Sequence, residues 1–186
     1  MSMMYYLAAS KELPLGGFGE KKMKDACKEV KAMRFTNVQL SGGNIPLEQV
    51  IDLSHIKEDE VVFFGTYEDA AGIFVEKLPM ENSGVKRHFK NSFIYRVQPN
   101  IGKFCIDEEI RKINEPMYMA NKKCVNELFR HVRRNKAEKE EMEFYACWYG
   151  EEAHDRNPEL DLIIDLNEFV PGDKFSFKEQ QYILIE

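Results

Sequence analysis

Residues 143–149, with the sequence EFYACWY, carry mostly apolar and aromatic side chains at successive positions. A strand that is apolar on both faces lies inside a sheet that other elements cover on each side. Three further runs are typical of buried strands: MYYLAA, LDLIID and QYILIE. The chain is therefore expected to fold around a sheet to which both its first and its last residues contribute.

Helices are predicted between these strands. Over residues 20–33, Met23, Cys27, Val30 and Met33 recur at helical spacing. Pro46 suits the first turn of a short helix over 46–51, and the chain is again helical from Asp107. Pro116 begins the longest helix, 116–134, and its predicted buried stripe consists of Met117, Ala120, Cys124, Leu128 and Val132.

The segment from 66 to 78 admits two interpretations. Thr66 and Asp69 are spaced as a capping box, and apolar residues repeat every four positions after them, which favours a helix. The alternative is the second strand of a hairpin, favoured by Gly72, because glycine weakens a helix interior by about 1 kcal/mol. The helix is the preferred prediction.

The order of these elements predicts an α+β fold with a mixed, mostly antiparallel sheet covered by about four helices. The sheet is expected to centre on MYYLAA, VVFFG, SFIYRV and EFYACWY. Residues 1–186 are predicted to form a single domain, and 136–142 is the weak boundary at which it would divide.

Composition is that of a compact globular protein, with 44% apolar and 31% charged residues. A net charge of −6 argues against nucleic acid as a partner, because that binding needs many basic contacts to phosphate. Lys11 interrupts the first apolar run well before the roughly 20 residues of a membrane helix, so a cytoplasmic protein is expected. The four cysteines form no CxxC pair, which predicts reduced, packed thiols.

The first candidate site is the glycine turn LGGFGEKK, residues 15–22. A glycine turn before a helix can hold phosphate on its backbone N–H groups, so the predicted ligand-binding residues are Gly16, Gly17, Gly19, Lys21 and Lys22. Glu20 follows Gly19 where a phosphate-binding loop has lysine, and Lys22 replaces the third glycine of the dinucleotide fingerprint. The alternative is an ordinary turn leading into an amphipathic helix.

The second candidate site is the loop that follows the strand EFYACWY. Its predicted metal ligands are Glu151, Glu152, His154 and Asp155. Glu152 and His154 alternate along an extended chain and would therefore face the same side, where they could bind a divalent metal or act as acid and base. The alternative is a solvated connection between two strands.

Two basic runs are the third candidate: Lys86-Arg87-His88 near Phe89, and Arg130-His131-Val132-Arg133-Arg134. Arginine beside aromatic rings can engage single-stranded nucleic acid. The alternative is that the second run is an ordinary helix end, where cations complement the helix dipole. The net negative charge of the chain favours that alternative.

One family resemblance is carried by VVFFGTYEDAAGIFVEK, SFIYRVQPN and KEQQYILIE. In order and character these segments resemble small ADP-ribosyltransferase-like domains, in which a strand, a helix and a strand precede a Glu-x-Glu pair and a final strand. The chain departs from that pattern at two points. Gln181 stands where the catalytic glutamate would follow Glu179, and MYYLAAS lacks the arginine or histidine of the first strand.

These observations favour a binding or regulatory protein without catalytic activity, whose partner is another protein or a small phosphate-bearing ligand. No cofactor is predicted, and neither nucleic acid nor membrane is the expected partner. Two enzymes are the alternatives. One binds a phosphate-bearing ligand or nucleotide at the glycine turn, and the other is a metal-dependent hydrolase that uses the acidic loop.

Overall fold

The computed structural model describes residues 2–22, 38–40, 43–45, 64–79 and 84–186. The chain divides into two compact units, Met1–Glu20 with Thr66–Glu186, and Lys21–Gly65. That residues 1–186 form a single domain stays a prediction. Three predicted elements lie outside the described residues, apart from positions 20–22 and 64–65. They are the helices over 20–33 and 46–51 and the strand VVFFG.

The strands are β1 Met3–Ala9, β2 Gly16–Phe18, β3 Val38–Leu40, β4 Gly43–Ile45, β5 Ile73–Lys77, β6 Phe93–Pro99, β7 Cys105–Ile106, β8 Met142–Trp148, β9 Leu162–Ile164, β10 Phe175–Ser176 and β11 Gln181–Ile185. Seven of them form one sheet in the order β2-β5-β6-β1-β8-β11-β9. β11 and β9 are parallel, and the other neighbours are antiparallel. In the second unit, β3 and β4 form an antiparallel pair.

Among the described residues there are three α-helices, α1 Tyr67–Ala70, α2 Glu108–Ile113 and α3 Glu115–Asn135. Two 3₁₀ helices, Gly84–His88 and Pro158–Leu160, complete the elements. The α+β class with a mixed sheet is confirmed, but the number of about four helices is wrong for this part of the chain. None of the described helices is long and apolar enough to cross a membrane.

The central strand β8 was correctly predicted from its apolar character. It lies between β1 and β11, where Tyr145 is opposite Tyr6 on one side and Tyr182 on the other. Six of its seven residues are buried. The N-terminal and C-terminal strands are therefore joined in one sheet.

Helix α3 covers one face of the sheet, which we call the helix face. Asn114 caps the helix, because its Oδ1 accepts a hydrogen bond of 3.0 Å from the Met117 N–H. Of the predicted stripe, Ala120, Cys124, Leu128 and Val132 are buried against the sheet, whereas Met117 is half-buried. Burying one leucine of this kind contributes about 1.5 to 3 kcal/mol, so the stripe fixes the helix on the sheet.

The predicted helix over 66–78 is wrong beyond its first turn. Thr66 does cap α1, but the helix ends at Ala70 and β5 begins at Ile73. Strand β5 pairs with β2, and a β-carbon on Gly72 would lie 2.2 Å from the Phe18 carbonyl oxygen. This close approach of two backbones requires glycine at position 72, and the hairpin alternative correctly made this segment a strand.

The opposite face of the sheet is called the loop face, because the segments around Val85 and around Glu152 contact it. Val85 and His88, within the 3₁₀ helix Gly84–His88, are buried. Their apolar and aromatic surfaces cover the sheet residues Tyr6 and Tyr145.

Candidate functional site

The glycine turn forms an edge of the sheet. Gly16, Gly17 and Phe18 are strand β2, and Gly16 and Gly19 have positive φ angles of 102° and 90°. Lys21 and Lys22 are exposed and belong to no helix or strand. Whether a helix follows them, as the phosphate prediction requires, lies outside the described residues.

Two carboxylates face this turn. Glu20 Oε1 lies 3.1 Å from the position of a β-carbon on Gly17 and accepts a hydrogen bond from Asn100 Nδ2. The side chain of Glu127 lies against Gly19, with its Cγ 2.5 Å and its carboxylate Oε1 3.2 Å from the position of a β-carbon there. Negative charge at this distance opposes the binding of an anion. Phosphate binding at Gly16, Gly17, Gly19, Lys21 and Lys22 stays a prediction that these contacts do not favour.

The side chains of the acidic loop are directed to different partners. Glu152 Oε1 accepts a hydrogen bond of 3.2 Å from the Tyr6 hydroxyl, and Asp155 Oδ1 accepts one of 2.5 Å from Arg87. Arg87 also donates to the Ala153 carbonyl oxygen at 2.9 Å, while His154 is exposed. These contacts hold the loop against the 3₁₀ helix Gly84–His88.

The predicted metal ligands Glu151, Glu152, His154 and Asp155 are not brought together as a centre. Within the described ranges no group of three or more His, Cys, Asp or Glu side chains is placed to hold a metal ion. A metal site needs several converging ligands. The metal prediction therefore remains one that the geometry does not favour.

A row of polar and aromatic side chains crosses five strands of the loop face. Register places Glu76 opposite Arg96, Arg96 opposite Tyr6, Tyr6 opposite Tyr145, and Tyr145 opposite Tyr182. Glu76 and Arg96 form an ion pair. Sequence reasoning missed this row, because its members come from five distant segments and only the register aligns them.

Three titratable groups in the centre of the loop face, His88, Tyr145 and Cys147, are held neutral. The His88 ring stacks on Tyr145 with ring centroids 4.2 Å apart, and burial lowers the pKa of His88. Burial, then the nearby Cys147, raises the pKa of Tyr145 to about 12. Burial, then Glu152 and Glu151, raises the pKa of Cys147 to about 12. A thiol of this kind is a poor nucleophile at neutral pH. The contacts of these three side chains therefore favour a role in packing over a role in catalysis.

Three arginines of the basic runs are engaged within the chain. Arg130 pairs with Glu127, and Arg133 donates to the carbonyl oxygens of Leu166 and Phe169. Arg87 is bound to the acidic loop. These contacts leave less free positive charge on the three arginines for a nucleic acid, and the absence of such a partner stays a prediction.

The outer edge of the sheet carries a cleft that sequence reasoning did not find. It has a volume of about 570 Å³ and lies between β9 and the segment around β10. Leu162, Ile164, Phe169, Phe175 and Ile183 supply apolar surface, and Glu159, Asp165, Glu168, Lys174 and Lys178 supply charges of both signs. We call it the edge cleft.

Strand β9 is the last strand of the sheet, and its two exposed residues border this cleft. Leu162 is 49% exposed and Ile163 is 68% exposed. The Glu186 N–H donates to the Ile164 carbonyl oxygen, so Ile164 directs its backbone groups towards β11. Since neighbouring residues of a strand direct these groups to opposite sides, Ile163 directs its N–H and C=O to the outer edge.

Comparison with known protein families, with curated proteins and with solved structures gives no match for this chain. What the protein does must therefore be inferred from its own geometry.

Proposed function

We propose that the protein is a non-catalytic binding domain that holds an extended segment of a partner protein along β9. The observation that carries this proposal is the edge strand itself, with outward backbone groups at Ile163 and two exposed aliphatic side chains beside a cleft of about 570 Å³. An extended segment that adds to a sheet edge gains hydrogen bonds from the backbone and specificity from pockets for alternate side chains.

The two faces of β9 give the partner segment different surroundings. Leu162 is opposite Ile183, a residue of the helix-face core, and Ile163 is opposite Leu184 on the loop face. A segment paired with β9 would place every second side chain in the edge cleft, over Phe169 and Phe175. Aliphatic residues at alternate positions are therefore the expected signature of the partner.

The titratable side chains of the loop face and of the adjoining acidic loop support binding rather than catalysis. Cys147 and Tyr145 hold their protons at neutral pH, because their pKa values are raised to about 12. Glu152 and Asp155 are bonded to Tyr6 and Arg87. No activated nucleophile is therefore prepared among these four residues.

Selection from a displayed library of short linear peptides tests the proposal. Peptides selected on the wild-type protein are expected to show aliphatic residues at alternate positions. They should bind Ile163→Pro and Leu162→Asp at least 10-fold more weakly, because the first change removes one outward N–H and the second places a charge beside the cleft. Titration calorimetry gives the affinities.

Val170→Asp is the matched control, because Val170 is 78% exposed and lies outside the edge cleft. It should bind the selected peptides as the wild type does. Peptides that bind all variants equally would show that β9 is not the binding edge. A dimer that forms in sedimentation experiments and is lost in Leu162→Asp would instead assign the edge to a second copy of the chain.

A further inference from the structure

A second cleft, of about 500 Å³, lies on the helix face at the end of β8, apart from the titratable groups described above. Met3 and Trp148 are opposite each other across β1 and β8, and Tyr5 follows Met3 on the same face. The rings of Tyr5 and Phe104 meet edge to face at 4.8 Å, and Tyr5 and Phe177 lie 5.6 Å apart. We call this the Trp148 cleft.

The wall of the Trp148 cleft is rigid. Phe104 and Phe177 are buried, and Phe177 stacks on Phe144 at 4.3 Å. The loop before Phe104 is fixed because the Lys103 N–H donates a hydrogen bond of 2.8 Å to Oδ1 of the buried Asn121. A volume of 500 Å³ with a preformed aromatic wall lies in the range of small-molecule sites.

The charge of the described lining of the Trp148 cleft comes from Lys103. Among the described residues that line the cleft, Lys103 is the only charged one, and it is exposed at the rim. Burial, then the nearby Cys105, raises the pKa of Tyr5 to about 12, and burial raises the pKa of the Cys105 thiol. Both groups are neutral at pH 7, so the described lining of the cleft carries the single positive charge of Lys103.

We propose that the Trp148 cleft binds a small aromatic molecule with one negative charge, whose rings pack on Tyr5 and Trp148 and whose anionic group meets the Lys103 ammonium. Aromatic rings favour offset or edge-to-face contacts with such a ligand. An exposed ammonium stabilises one carboxylate without a large desolvation cost. This binding site shares only Ser176 and Phe177 with the edge cleft, and its proposed ligand does not depend on the proposed peptide partner.

Fluorescence provides the test, because Trp148 is the single tryptophan of the chain. Titration with biphenyl-4-carboxylate is expected to change the Trp148 emission and to saturate at one molecule per chain by calorimetry. The neutral biphenyl-4-carboxamide and the cationic biphenyl-4-methylamine should bind more weakly, in that order. A carboxylate that leaves the emission unchanged, or binds no better than the amine, would overturn the proposal.

Lys103→Gln isolates the charge. It should weaken the carboxylate about 5-fold and leave the affinity of the carboxamide unchanged, because an exposed charge pair contributes little more than this. Lys139→Gln makes the same change at a residue outside both clefts and should have no effect. If both variants weaken the carboxylate equally, its binding depends on the net charge of the protein, and the assignment to Lys103 is wrong.

Discussion

Glu143 is a buried carboxylate that connects strand β8 to the segment at Lys90 and Asn91 on the loop face. It is 1% exposed and accepts hydrogen bonds from the N–H groups of Lys90 and Asn91 and, at 2.7 Å, from the Tyr182 hydroxyl. A buried charge is tolerated only when its hydrogen bonds are satisfied. The three donors therefore require a carboxylate at position 143 of β8.

Glu143→Gln is expected to lower the free energy of unfolding by about 2 to 3 kcal/mol, because the amide NH₂ meets donors where an acceptor is needed. Tyr182→Phe removes a single donor and should cost about 1 to 2 kcal/mol. Urea denaturation measures both. The control is Glu141→Gln, which makes the same change at an exposed position two residues before Glu143. Equal stability of Glu143→Gln and the control would show that the carboxylate is not needed.

His131 makes the stability depend on pH. Burial, then Arg134, lowers its pKa from 6.5 to about 4, and its ring packs on Phe18. Because the folded pKa is below the unfolded one, the unfolded chain binds more protons between pH 6.5 and 4, so stability falls as the pH is lowered through this window. His131→Phe should remove up to about 3 kcal/mol of this loss.

Unfolding of both proteins in urea at pH 7, 6, 5 and 4 measures the difference. The difference should grow as the pH falls, while exposed His154→Gln should follow the wild type throughout. His88 is unchanged in all three proteins, so its own lowered pKa does not enter the comparison. Parallel pH profiles for the wild type and His131→Phe would contradict this role.

At the scale of elements, the strands with apolar residues on both faces were predictable, and β1, β6, β8 and β11 follow the prediction. Strand β5 was not predictable. The capping residue Thr66 correctly indicates a helix start, but α1 ends early because β5 pairs with β2, which is distant in sequence. The clefts and the row through Tyr145 could not be predicted either. They depend on register and on neighbours in the sheet that a single sequence does not specify.

The junction of β2 and β5 gives a test at this scale. Gly72→Ala should destabilise the protein by about 2 to 4 kcal/mol, because the new methyl group meets the Phe18 carbonyl oxygen at 2.2 Å and the strands must separate. Gly172→Ala is the matched control, since a β-carbon there meets no atom within 4 Å. Thermal unfolding compares them. A melting temperature equal in the two variants would show that β2 does not pack closely on residue 72.

For the whole molecule, the seven-stranded sheet is built entirely from residues 3–18 and 73–185, whereas Lys21–Gly65 form a compact unit of their own. A variant in which residues 21–65 are replaced by a flexible Gly/Ser linker of about 12 residues, which spans about 20 Å, is therefore expected to keep the sheet, because the replacement removes none of its seven strands. Its unfolding in urea, followed by Trp148 fluorescence and by circular dichroism, should stay a single transition.

Cleavage in the connection 136–141 should have the opposite effect. Strand β8, which follows it, lies between β1 and β11, so separation of the two pieces leaves the central strand without its N-terminal neighbour. We expect neither piece to unfold cooperatively alone, and the two to recover the transition when mixed. Two independently stable pieces would show that the ends of the chain do not share one core, because a sheet with β8 at its centre needs strands from both.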